Sequence, residues 1–350
     1  PDRPGNVLLT AKGTLTGSSA PNETVRVSVK FVPQIFDYVL FVGDPEYASS
    51  KIMFAQRSDG RITVIGKEHV NGRLEIKTTG NPSGGITLQS RPGYSDTVTY
   101  TTTYIITGPG TFGDITPSKG SAIKLPTVNY TANLETVANG GTDTLEFNPG
   151  SAPAGWSLSG GTYTITAADF VSRYKSHVVI IKNNINDAKI KITGSAGSSQ
   201  TITSTIQILP VGAGLSTQQV KTLEIVGPGI TLQPVNGLAI LSGQGKVLLE
   251  SGANVGSPGN GALIYLDGTG GENYCGRGSG NVFEVEGDGT VYGTVVVAKP
   301  EQVELKAGDC GLDGNILLSY DGSYISKLPA GWWSYEEGGM MAFKENYVRD

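Results

Sequence analysis

The chain has 350 residues, of which 26 are basic and 31 acidic, giving a net charge of −5, and it contains only two histidines. Hydrophobic residues make up 38% and charged residues 16%, which supplies enough core and too little charge for a disordered polymer. The acidic balance offers no electrostatic attraction for nucleic acid or an anionic membrane surface. So few histidines also argue against a His-ligated metal site or a His-based hydrolase.

At this length the chain should divide into two or three units, and 50 Gly with 18 Pro interrupt it throughout. No apolar run approaches the 18 residues of a membrane-spanning helix. The first unit, residues 1–113, opens with Val7–Ala11 and Thr24–Lys30, and continues with Arg61–Ile65 and Arg73–Lys77. Thr24–Lys30 alternates apolar and polar residues with period two, as a half-buried strand does. Phe31–Phe41 carries Pro33 and Asp37 and reads as an irregular connection. Asp59-Gly60, Asn71-Gly72 and Gly84-Gly85 are expected to form hairpin turns between neighbouring strands. A Thr/Tyr-rich strand at Thr97–Thr101 ends the unit, and Gly108-Pro109-Gly110 is the first candidate linker.

The second unit, residues 114–214, repeats this style with expected strands at Val128–Leu134, Thr144–Phe147, Thr162–Ile165, His177–Lys182 and Thr201–Leu209. One helix interrupts them. Thr166 can cap a first turn containing Asp169, which places Phe170 and Tyr174 one turn apart. About seven short strands per 100 residues, twice over, point to tandem Ig-like β-sandwiches without the Cys…Trp…Cys signature.

The third unit, residues 215–350, is a Gly-rich, acidic β domain. From Thr217 onward there are 8 basic and 16 acidic residues, so this stretch carries −8 and the rest of the chain +3. That division suggests head-to-tail electrostatic contact between copies. Four Asp-Gly pairs, at Asp267, Asp288, Asp313 and Asp321, read as hairpin turns. Pro153-Ala154-Gly155-Trp156 is echoed by Pro329-Ala330-Gly331-Trp332. This Pro-x-Gly-Trp entry into a strand resembles one in bacterial and viral Ig-like domains, where the ring plugs one end of the sandwich.

Candidate chemistry is sparse. Cys275 and Cys310 are the only cysteines and lie in loop-like sequence. They are expected to form a disulfide, which would close a loop of about 35 residues and stabilise by roughly 3–4 kcal/mol. His69 and His177 lie near no Gly-x-Ser-x-Gly elbow and read as structural or surface residues. No cofactor is expected. Calcium is the best ionic candidate, through Asp267, Asp309 and Asp313, although hairpin turns explain those residues better. Trp332, Trp333 and Tyr335 form the densest aromatic cluster. They are the candidate contact residues for a glycan or protein partner, with core packing as the alternative.

The functional expectation is a non-enzymatic structural or adhesive subunit of an extracellular assembly at a cell surface or in a virion. A bacterial pilus, a surface adhesin and a phage component all fit. Its partners would be copies of itself or other subunits, with a host receptor or glycan at a distal surface, and neither nucleic acid nor a membrane span. The competing class is a carbohydrate-active module, either glycan-binding or a glycoside hydrolase with two carboxylates in a cleft.

Overall fold

The computed structural model describes residues 6–13, 23–43, 45, 49–57, 59–78, 85–108, 113–134, 140–185, 187–212, 220–267, 281–298, 302–307, 314–329, 331–334 and 340–349. The protein is all-β, with 56% of its residues in strands and 7% in helices. Its sheets are not those of Ig-like sandwiches, because almost every ladder is parallel.

The strands follow one another in threes. Val178–Asn183, Ala188–Thr193 and Gln200–Ile202 are succeeded by Thr205–Ile208, Val220–Val226 and Ile230–Leu232. Each strand of the second set lies parallel to the corresponding strand of the first. Leu238–Ser242, Lys246–Glu250 and Ala253–Val255 add the next set, and Ala262–Leu266, Asn281–Glu286 and the start of Gly289–Val297 the one after. The chain therefore winds as a three-faced parallel β-helix, with its first, second and third faces met in that order in every coil. Strands one coil apart are spaced by about 4.8 Å, so the nine coils among the described residues form a rod about 40 Å long.

Chain order and spatial order differ. Coils run without a break in stacking from Thr142–Phe147 to Asn315–Ser319. The coil stacked next on that last one is the first to be threaded, formed by Tyr38–Val42, Ser50–Gln56 and Arg61–Ile65. Lys67–Val70, Gly72–Thr78 and Gly85–Gln89 follow, then Val98–Tyr100, Tyr104–Thr107 and a bridge at Gly113. The ladders thus run across the expected divisions at residues 113 and 214 without interruption. The acidic stretch after Thr217 sits mid-rod and at no end, so chain thirds do not define poles for head-to-tail attraction.

Residues 120–134 carry the chain back along the outside of the first face, from the last coil toward the first. Gly120 N donates to Tyr100 O over 2.9 Å. Asn71 then pins Ile123, its Oδ1 accepting from the backbone N–H and its Nδ2 donating to the carbonyl, at 3.0 and 2.7 Å. Further along, Gln207 Nε2 donates to Tyr130 O and Ala132 O. The expected strand at Val128–Leu134 is this strap, with only Thr127–Val128 in ladder pairing, to Trp333–Ser334.

The rod interior is filled by registered columns. On the second face Ile165, Ile192, Ile225, Leu249, Val285, Leu305, Phe54 and Ile76 lie one above another, and all are at most 2% exposed. Asp59-Gly60, Asn71-Gly72 and Asp288-Gly289 turn the chain between faces of a coil and close no hairpin. Asp321 caps a 3-10 helix, Gly322–Lys327. The corner from the third face to the first needs glycine: Gly293 has φ +136, and a Cβ there would lie 1.9 Å from Ala262 O. A separate antiparallel sheet joins Asn6–Gly13, Glu23–Pro33 and Met340–Arg349, with Pro33 opposite Met340. Both connections to the rod therefore leave it side by side.

Two local expectations are met. Thr166 Oγ1 accepts from Asp169 N at the start of the helix Ala167–Arg173, and Gln34–Asp37 forms a 3-10 turn where the sequence is irregular.

One interior carboxyl stands among the apolar columns without a partner. Glu68 lies between Leu40 and Val98 in the first-face ladder, is 1% exposed, and neither carboxyl oxygen has a hydrogen-bond partner. Burial raises its pKa from 4.5 to about 8. In the unfolded chain the proton leaves near pH 4.5, whereas the folded protein holds it to about pH 8. Between those values the folded state binds more protons, so stability falls as pH rises, by about 1.4 kcal/mol per pH unit. Glu68→Gln should remove that slope. Urea unfolding of both proteins from about pH 5 to pH 8 checks it: the stability advantage of the variant should grow with pH, and a constant difference would contradict a protonated Glu68.

Candidate functional site

The two ends of the rod are built differently, and the difference begins in the sequence. At the end that starts with Thr142–Phe147, the Pro153-Ala154-Gly155-Trp156 segment makes a tight turn. Trp156 N donates to Pro153 O over 3.0 Å, with Gly155 at φ +86. The indole lands on Phe147 and Phe170, with ring centroids 5.2 and 6.5 Å away. Its Nε1 donates to Tyr174 OH over 3.0 Å. The capped helix supplies Phe170 and Tyr174, whose rings are 5.0 Å apart, and Phe147 meets Tyr163 at 4.9 Å. These rings close the interior: Tyr163 and Ile165 on the terminal coil are 1% and 2% exposed. Ser157–Ser159 then runs antiparallel beside Thr162–Thr166, against the direction of the ladder.

Among the described residues the other end is open. Ile106 continues the interior column of Ile76 yet is 46% exposed, while Ile76 is fully buried. Ile105, on the outward side of the same strand, is 37% exposed. Tyr104–Thr107 pairs with Gly72–Thr78 on one side and has no ladder partner on the other among the described residues. Tyr100 and Tyr104 stack at 5.7 Å beside it. No charged residue occurs between Asp96 and Asp114.

Trp332 and Trp333 do not form an exposed contact pair. They are 0% and 3% exposed and lie in a second apolar cluster on the outside of the first face. Their rings meet each other at 4.9 Å and Phe36 at 6.2 and 5.8 Å, with Tyr265 5.6 Å from Trp332. The strap runs over them, so large rings serve here to seal it to the rod. Tyr335 lies outside the described residues, as do Cys275, Cys310, Asp309 and Asp313; of the calcium candidates only Asp267 is described, and its backbone N–H donates to Ser242 O over 2.7 Å. Among the described residues no group of three or more His, Cys, Asp or Glu is arranged to hold a metal ion.

His69 is structural, as its sequence context suggests. Its ring stacks on Phe41 at 5.2 Å. Asn71 Nδ2 donates to two carbonyls, which leaves Oδ1 as an acceptor and makes His69 Nε2, 2.9 Å away, the donor. Burial lowers the pKa of this histidine.

The residues that sequence reasoning missed form a charge network on the outward side of the second face. Lys246 and Lys306 both pair with Glu284, and Lys306 also lies 3.2 Å from Glu286 and 3.5 Å from Glu304. Lys246, Glu284, Glu286 and Lys306 are each at most 1% exposed. Burial opposes ionisation of Glu284, but the hydrogen bond from Glu286 and the two lysines outweigh it and hold its pKa low. Glu286 is pushed up, first by burial and then by the neighbouring Glu284 charge. Glu284 thus receives both lysines, with Glu286 and Glu304 beside Lys306. Alternation of charged with apolar residues in Asn281–Glu286 and Gln302–Ala307 was the available signal, but their adjacency depends on register.

No family model matches the sequence, and no curated protein matches it. Among solved structures, the crystal structure of the competence-associated pilin ComZ from Thermus thermophilus aligns with 98% of this chain and 80% of that one. The TM-score is 0.39 and the identity 12%, too loose a likeness to carry an argument.

Because Trp332 is packed on all sides, Trp332→Ala should cost roughly 3–5 kcal/mol, as large-to-small core substitutions do. A melting scan checks this. An unchanged melting temperature would return the ring to the role of an exposed contact.

Proposed function

We propose that the protein is a non-enzymatic structural or adhesive subunit of an extracellular assembly, at a cell surface or in a virion, which joins its neighbour through the open end of the rod. The observation that carries this reading is Ile106, an interior column residue left 46% exposed where every rung beneath it is sealed. An isolated soluble rod gains nothing from an uncovered core and an unpaired, uncharged β edge, since both are aggregation liabilities. An assembly subunit uses the same features as its joint. The capped end stops growth in the opposite direction. The flat faces and the three-stranded sheet attached mid-rod remain for a receptor or glycan.

Lys119 lies in Ser118–Lys119, the edge of the first face at the open end, whereas Lys175 and Lys182 flank the capped end. Lysine cross-linking of the surface or virion fraction of the source organism should give intermolecular links from Lys119. Absence of the chain from both fractions, or intermolecular links confined to Lys175 and Lys182, would overturn the proposal.

A further inference from the structure

The open end has one partner whose chemistry is already on view. We propose that it is covered by the same end of a second copy of this chain, related by a two-fold axis, with Tyr104–Thr107 of the two copies running antiparallel side by side. This rests on the assembly reading of that end and names its partner.

The edge itself is the first argument. A strand in a parallel ladder directs about half of its N–H and C=O groups to each side. Tyr104–Thr107 uses one side on Gly72–Thr78, and the other has no ladder partner among the described residues. Natural edges are usually guarded by charge, bulges or short length. This one is flanked by uncharged sequence from Thr97 to Gly113. Such a stretch can meet its own copy across a two-fold axis without opposing like charges.

Head-to-tail stacking is blocked by the far end. There the terminal rung lies beneath Trp156, Phe170 and the helix Ala167–Arg173, and the outermost strand on the second face runs antiparallel to the ladder. An incoming Ile106 finds no open column there. Only the open end offers an uncovered column to another open end.

Symmetry then fixes which sides meet. A two-fold axis normal to the second face keeps inward-pointing side chains of both copies on the interior side, so Ile106 of each rod is covered by the other. The same rotation exchanges first and third faces. It brings the first-face edge carrying Lys119 over the third-face edge carrying Asp114, which follows the Gly113 bridge. Both residues are exposed, and their charges are opposite.

Sedimentation velocity of the purified chain over a range of concentrations tests this. A monomer–dimer equilibrium that stops at two copies is expected. Ile106→Lys should abolish it while leaving the melting temperature near that of the parent, and Ile105→Lys, on the outward side, serves if the first variant does not fold. Lys119→Asp should weaken the dimer roughly fivefold, and adding Asp114→Lys should restore it, because the swap preserves opposite charges across the axis. A dimer indifferent to Ile106→Lys and Ile105→Lys, or a charge swap that fails to restore what Lys119→Asp loses, overturns the inference. Species that keep growing with concentration and vanish with Ile106→Lys overturn the two-fold arrangement but keep the open end as the joint. A chain that stays monomeric yet cross-links through Lys119 to a different subunit in its source fraction does the same.

Discussion

Everything in this molecule depends on the seam where the coil that ends at Asn315–Ser319 receives the coil that begins at Tyr38–Val42. Val295–Val297 pairs with Leu40–Val42, Gln302–Ala307 with Ser50–Gln56 and Asn315–Ser319 with Arg61–Ile65. All three faces therefore join across about 250 residues of sequence. Thr294 Oγ1 donates to Tyr38 O over 2.7 Å, and Tyr324 OH to Phe36 O over 2.9 Å, locking the first-threaded segment to the last. A solenoid coil cannot bury its apolar side alone and needs a neighbour above or below. The coils from Tyr38 to Gly113 have no other stack to extend, so they depend on strands made much later in the chain. Contacts of such high sequence separation close slowly, and this seam is the natural late step of folding.

The strap follows from that arrangement. A chain that begins in the middle of a rod and winds to one end must return to the other end before the second half can stack in the same sense. Residues 120–134 make that return along the first face, and the apolar cluster around Phe36, Tyr265, Trp332 and Trp333 covers the outside of the sheet there. The middle strands of the first face are thus buried on both sides and read as nearly continuous apolar runs such as Tyr38–Val42 and Leu238–Ser242, all buried. The antiparallel sheet at Glu23–Pro33 and Met340–Arg349 leaves from the seam.

Polar groups are placed by the same logic. Asn71 occupies a corner where its amide can serve the strap, the neighbouring Gly43 carbonyl and His69 at once. The lysines and glutamates of the second face form a network only because successive coils put Lys246, Glu284 and Lys306 in reach of one another. Glu68 is the exception, a carboxyl in an apolar column with nothing to bind it, and it lies two rungs from the open end.

Much of the local structure was legible in the residues. Period-two alternation marked the strands, Thr166 with Asp169 marked the helix start, and Pro33 with Asp37 marked an irregular link within Phe31–Phe41. Each of these is decided within a few residues, by side-chain direction, capping chemistry or φ. Trp332, by contrast, was expected as a contact residue, with burial as the alternative. Which strands pair was not legible, because a strand with one buried side shows the same alternation in a sandwich and in a coil. Asp-Gly and Asn-Gly supply the same backbone freedom to a hairpin and to a corner, so the turns could not choose between them either. The exposure of Ile106 was equally hidden: an isoleucine within a short strand reads as a core residue, and only its place on the last rung leaves it without a neighbour. The tertiary structure decided these points because stacking order is a property of long-range register, in which a residue's partners are set by the coil above and below and not by the chain on either side.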